Sequence, residues 1–429
     1  MPVRRLITSF VAFAALASAP AASAATSTPP PTPVPVPCSS GSGVCVSPSP
    51  FPTALDTPPA STEPPDLDAA AAILEDLDTG QILFAEDPDA ERSLASTTKI
   101  MTALLVLQRA DPSDVVTVGP DAAEEGRAGA GFSELGLQEG ERISVEDLLF
   151  ALMLQSSNDA AIALADHVSG SEDAFVEDMN DSAKAQGLRH TVFYSPNGLD
   201  DRGHSTPREM AAITRAAMSL PEFDRIVGSR FDTIPAPSGP GRRVQNRNVL
   251  LWLYRGAGGV KTGYTSAAGF CLVATAERGG QGLVAVVLGD PSSQDSFDDA
   301  AALLDYGFTA YTQKTLVQQG QSFRAVPVGT QRIPVEAGRG LERLLPAAVA
   351  AKVQPSVRIL PGIHLPVGPG DRIGTISFRS RGLPIGSVPL VAAGTPEGEG
   401  TTTDDTPWWA RGVNGVVGFT LDTFFNLFG

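Results

Sequence analysis

The sequence predicts an α+β fold, with an antiparallel sheet flanked by helices and an all-helical subdomain, followed by a small all-β sandwich unit. Three observations carry this. Apolar runs of strand length fall in hairpin-like clusters, at residues 70–75 and 81–85 early in the chain and at 260–265, 270–276 and 283–288 late in it, instead of alternating singly with helices. Between the clusters, residues 145–220 keep apolar side chains at helical spacing. After residue 312 the texture changes to short alternating segments broken by Gly and Pro, the pattern of an all-β unit over 313–393.

Taken in order, residues 1–24 hold Arg4 and Arg5, an apolar run and an Ala22, Ser23, Ala24 cleavage pattern, which together read as a signal peptide. Residues 25–66 contain thirteen prolines among Ser, Thr and Gly and read as an extended linker. Cys38 and Cys45 lie close enough in sequence to pair, whereas Cys271 sits in an apolar run and reads as a core residue. Order is expected from Leu67, where Asp78, Thr79 and Gly80 turn the first hairpin.

A strand is expected at residues 115–118, an irregular Gly-rich stretch at 126–140, and a helix opened by the capping pattern Ser144, Val145, Glu146, Asp147. Residues 298–308 read as a helix that closes the first unit, which extends over 67–312. Residues 394–406 read as a polar linker. Residues 407–429 place Trp409, Val413, Val417, Leu421, Phe424 and Phe428 on one helical face and Arg411, Asn414, Asp422 and Asn426 on the other, the pattern of an amphipathic helix lying on a membrane surface. With 31 basic and 48 acidic residues the net charge is −17, which argues against nucleic acid as a partner.

The chemistry begins at Ser96 and Lys99. Three residues apart at the start of a helix, a hydroxyl and an amine share a face, and the amine is placed to take the hydroxyl proton. Residues 100–107 are apolar or small apart from Thr102, so the helix reads as buried, a costly setting for an idle lysine. Two further patterns follow: Ser156 and Asn158 flanking Ser157, and Lys261, Thr262, Gly263 on the first strand of the late cluster. Each alone is weak, and Ser195, Pro196, Asn197 repeats the second one in what reads as a turn.

In that order the three patterns resemble the signature of penicillin-recognising serine acyltransferases. The chain closely resembles serine-type D-alanyl-D-alanine carboxypeptidases, the low-molecular-mass penicillin-binding proteins, over residues 67–393. Asp159 and Ala160 after the second motif, the stretch from Phe193 to Leu199 with His204, Tyr264 and Thr265 after the third motif, and the stretch from Leu303 to Phe308 extend the likeness. The resemblance implies a β-lactamase-like catalytic fold with Ser96, Lys99 and Ser156 as catalytic residues and Asn158, Lys261, Thr262, Gly263, Tyr264 and Thr265 as substrate-binding residues.

It further implies peptidoglycan stem peptides ending in D-Ala-D-Ala as substrate, covalent capture by β-lactam antibiotics, action outside the cytoplasm, and no metal or cofactor. His204 and Asp159 read as structural. One departure stands out: the family often carries an Arg just ahead of a Phe at the closing helix, and this chain has Ser296 before Phe297. The alternatives are a β-lactamase, disfavoured because Glu177 to Asn180 lacks the expected Glu and Asn spacing, and a catalytically idle penicillin sensor, disfavoured by the complete motif set.

Overall fold

The computed structural model describes residues 54–57, 60–127, 133–329 and 331–393. The expected signal peptide, the Cys38 and Cys45 pair, most of the Pro-rich linker, the 394–406 linker and the 407–429 helix lie outside the described residues. No described helix is long and apolar enough to cross a membrane.

Five strands form the central sheet: β1 (Ala71–Asp76), β2 (Ile82–Glu86), β3 (Ala257–Thr265), β4 (Gly269–Arg278) and β5 (Gln281–Asp290), in the order β2-β1-β5-β4-β3. All neighbours run antiparallel, as the hairpin clusters predict. The two clusters join where β1 pairs with β5, Ile73 opposite Val286. β5 reads as an unbroken apolar run because it is central and covered on both faces.

Side chains alternate between those faces. Ile73, Val273, Val284 and Val286 enter the core under the helical block, while Leu74, Leu272, Leu283 and Val287 enter a second core. The helical block comprises α1 (Lys99–Arg109), α2 (Pro120–Arg127), α3 (Val145–Phe150), α4 (Asn158–Ser169), α5 (Glu172–Ala185), α6 (Pro207–Met218) and α7 (Pro221–Gly228). The Ser144 hydroxyl accepts from the Asp147 N–H at 3.0 Å, so the expected cap forms. The second face is covered by α8 (Ser293–Ala310), which buries Phe297, Ala300, Leu303 and Leu304. It begins five residues before the expected start, because the Ser292 hydroxyl accepts from the Asp295 N–H and caps the helix there.

The chain then builds a two-stranded sheet, β6 (Tyr311–Val317) with β9 (Leu341–Pro346), and a five-stranded sheet of β7 (Ser322–Val328), β8 (Gln331–Ala337), β10 (Val353–Ile359), β11 (Arg372–Ser380) and β12 (Leu383–Ala392), in the order β7-β8-β12-β11-β10. Val317 and Leu341 of the first pack with Ile333, Ile376, Phe378 and Leu390 of the second in a separate core. The Tyr311 hydroxyl donates to Leu83 O at 2.8 Å and the Leu344 N–H to Gln81 Oε1 at 3.2 Å, fastening the unit to the outer strand of the central sheet.

Candidate active site

Ser96 lies in a 3-10 turn, Ala95–Thr98, just ahead of α1 and not within it. Ala95 takes a left-handed φ of 47°, a conformation that costs an L residue about 1–2 kcal/mol. Gly198 backs this turn so closely that a Cβ there would sit 1.9 Å from Ala95 O. Lys99 opens α1 with its side chain fully buried. Its Nζ donates to Ser96 Oγ at 3.1 Å, to Asn158 Oδ1 at 2.8 Å and to Asn197 O at 2.6 Å. Three acceptors converge on one amine and none is a carboxylate.

Burial therefore acts on Lys99 without a compensating ion pair. Desolvation, and after it the Arg247 guanidinium, pull its pKa down from 10.5 to about 7. Lys261 on β3 is also fully buried, donates to Thr262 O at 3.0 Å, and is held well below the usual lysine range by burial, with Lys99 and Arg247 adding to the effect. Arg247 donates to Ser133 Oγ at 3.0 Å, and burial brings it to about 10. Lys99, Lys261 and Arg247 thus lie near enough for Arg247 to disfavour a charge on either lysine.

The second wall comes from the end of α3. After Phe150 the helix widens into a π turn, Ala151–Gln155, which Ser156 terminates in a left-handed conformation, φ 69°. This turn buries Ser156 and starts α4 at Asn158, so that Asn158 reaches Lys99. Asp159 is buried behind it and accepts backbone N–H groups from Leu135, Gly136 and Leu137, pinning the loop before α3 to the motif. This is a structural role, as the sequence reading of Asp159 expects.

The third wall is β3. Gly263 passes the Ser96 turn so closely that an added Cβ would lie 3.0 Å from Leu94 O and 3.1 Å from Ser96 N and from Thr97 N. Thr262 is half-buried. Tyr264 is exposed, its ring packed 4.3 Å from that of Phe270, and Thr265 donates to Asp201 at 2.7 Å. A cavity of about 560 Å³ opens beside Asn197, lined also by Tyr194, Leu199, Asp201, Glu125 and Glu172.

Thus the chain brings Ser96, Lys99 and Asn158 into direct contact, with β3 running against the Ser96 turn. His204 pairs through its backbone with Ser93 and Val192, outside this contact. Ser296 is buried in the first turn of α8, its hydroxyl bonded to Ser293 O. Two participants escape sequence reasoning: the Asn197 carbonyl on Lys99, and Arg247. The Ser195, Pro196, Asn197 turn carries the first, and Asn246 with Asn248, whose side chains hold the backbone on either side, marks the second.

A serine bonded to a buried, charge-depleted lysine is the arrangement expected of a serine hydrolase. The family model of D-alanyl-D-alanine carboxypeptidases (peptidase family S11) matches residues 59–292. The chain is 36% identical over 352 residues to the D-alanyl-D-alanine carboxypeptidase DacD of Escherichia coli, covering 78% of this chain and 88% of that one. It is 30% identical to DacF of Bacillus subtilis, covering 76% and 85%. The crystal structure of penicillin binding protein 5 from Haemophilus influenzae superposes with a TM-score of 0.69 at 30% identity, covering 78% of this chain and 99% of that one. The chain belongs to the serine-type D-alanyl-D-alanine carboxypeptidase family.

Proposed function

We propose that the protein removes the terminal D-Ala from peptidoglycan stem peptides through a Ser96 acyl-enzyme, and that penicillins acylate the same hydroxyl. The observation that carries this is the 3.1 Å contact between Ser96 Oγ and a Lys99 amine whose pKa lies near 7. At neutral pH about half of such an amine is unprotonated and able to accept a proton.

Ser96 Oγ attacks the penultimate D-Ala carbonyl while its proton passes to Lys99. The oxyanion is received by the backbone N–H groups of Ser96 and Tyr264, a reading supported by the close pass of Gly263 along Ser96 N; each such donor is worth about 3 to 4 kcal/mol. The C–N bond breaks as the leaving amine takes a proton relayed by Ser156, and water then hydrolyses the ester. Asn158 holds the substrate amide. Lys261, Thr262 and Thr265 hold the free carboxylate, with Arg247, whose charge is felt at Lys261, adding to the pull.

Residues 67–312 form the catalytic unit and 313–393 the β unit. The signal peptide takes the protein out of the cytoplasm, where the 407–429 helix holds it to the outer membrane face. The test is incubation with a fluorescent penicillin and with a diacetyl-Lys-D-Ala-D-Ala peptide. Labelling and D-Ala release that both vanish in S96A are expected. Labelling that survives S96A sinks the nucleophile assignment, and labelling without D-Ala release favours a sensor.

A further inference from the structure

Charge divides unevenly along the chain. Residues 313–393 carry ten Lys and Arg against three Asp and Glu, a net +7, whereas residues 67–312 carry 18 against 37, a net −19. Four of those ten basic residues share one face. In the five-stranded sheet, Ile333, Ile373, Ile376 and Phe378 point into the core, with a register shift after Arg372, and Arg332, Arg358, Arg372 and Arg379 are exposed. Arg372 lies opposite Val391, itself opposite Glu336, which shares its face with Arg332 along β8. Arg358 lies opposite Thr375, and Arg379 opposite Gln354.

The solvent face therefore presents Arg332, Arg358, Arg372 and Arg379 across three strands, with Glu336 as its acidic member. Their recorded partners are neutral: Arg372 donates to Thr375 Oγ1 at 3.1 Å and Arg379 to Gly382 O at 2.9 Å. Among the described residues no ion pair engages any of the four.

The geometry points to this sheet face as a docking surface for the phosphate headgroups of an anionic phospholipid bilayer. Guanidinium groups are weakly hydrated and grip phosphate in a bidentate fork. The field of an anionic surface attracts the +7 unit within a Debye length of about 8–10 Å and repels the −19 unit, so the same interaction turns the Ser96 side away from the bilayer. The choice of a bilayer over a soluble polyanion rests on the membrane association proposed for residues 407–429. The fourteen residues between Ala392 and Pro407 span at most about 50 Å, so a bilayer that takes up one lies within reach of the other. An amphipathic segment with a basic surface makes the two-signal anchor that stable attachment requires.

The test is co-sedimentation of the chain from Ala25 onward, and of its R358Q/R372Q/R379Q variant, with vesicles of phosphatidylcholine alone or with 30% phosphatidylglycerol added, at low and high salt. Phosphatidylglycerol is expected to strengthen binding of the unaltered chain, and the variant to lose about a hundredfold of that gain at low salt, with penicillin labelling unchanged. An equal gain in both proteins, no gain in either, or stronger capture of soluble polyphosphate than of vesicles would overturn the proposal. Failure of the 407–429 anchor reads out separately, as loss of binding to phosphatidylcholine alone.

Discussion

At the residue scale, Lys99 sets the pH behaviour. Its folded pKa of about 7 lies below the unfolded 10.5, so the unfolded chain binds more protons between those values and Lys99 makes stability rise with pH across that window. Activity follows the same proton: penicillin acylation of Ser96 is expected to climb with a midpoint near pH 7. Arg247 is the second cause of that low value. Removing its positive charge in R247Q favours the ammonium, so the midpoint moves to higher pH and acylation at pH 7 slows several-fold. A pH profile of penicillin acylation in both proteins checks this, and an unmoved midpoint removes Arg247 from the account. Ser96 and Lys99 were legible because three residues is a helical spacing and a lysine in an apolar run has no bland use. The Asn197 carbonyl was not, because a backbone acceptor 98 residues away leaves no side-chain signature.

At the element scale, β3 is held against the Ser96 turn by the absence of one carbon. A Cβ on Gly263 would meet three backbone atoms at 3.0 to 3.1 Å, and none can rotate away as a side chain would. In G263A the strand must retreat by a few tenths of an ångström, taking the Tyr264 N–H with it. Since a misplacement of about 1 Å can cost a hundredfold, a drop of tenfold or more in penicillin acylation is expected, with a fall of only a few degrees in melting temperature. An unchanged acylation rate would show that β3 does not set the oxyanion geometry. The spacing of Lys261, Thr262 and Gly263 announced the strand; that it passes the Ser96 turn is a tertiary fact. The start of α8 differs from the expected one for a local reason: apolar periodicity points to Asp298, whereas Ser292 with Asp295 three residues on forms a capping pattern upstream of it.

At the scale of the whole molecule, the class of fold and the order of its units were legible, because the period of apolar residues shifts from two to 3.6 and back. The pairing of β1 with β5 was not, since about two hundred residues separate partners whose runs are equally apolar. That pairing has an electrostatic cost at its far end. Asp290, the last residue of β5, is 1% exposed, and burial first, then the neighbouring Asp299, push its carboxyl up to about 9. The carboxyl is neutral in the folded protein at pH 7 and charged in the unfolded chain. Here the folded state binds more protons, so Asp290 lowers stability as pH rises from about 4 to 9, opposite in sign to Lys99. At about 1.4 kcal/mol per pH unit, holding the proton costs up to about 4 kcal/mol at neutral pH. Asn in its place is neutral at every pH and nearly the same shape. The melting temperature of D290N relative to the unaltered protein is therefore expected to rise by about 10–20 °C between pH 4 and pH 8, at about 2–4 °C per kcal/mol. A constant offset across that range would mean that Asp290 is ionised in the folded protein.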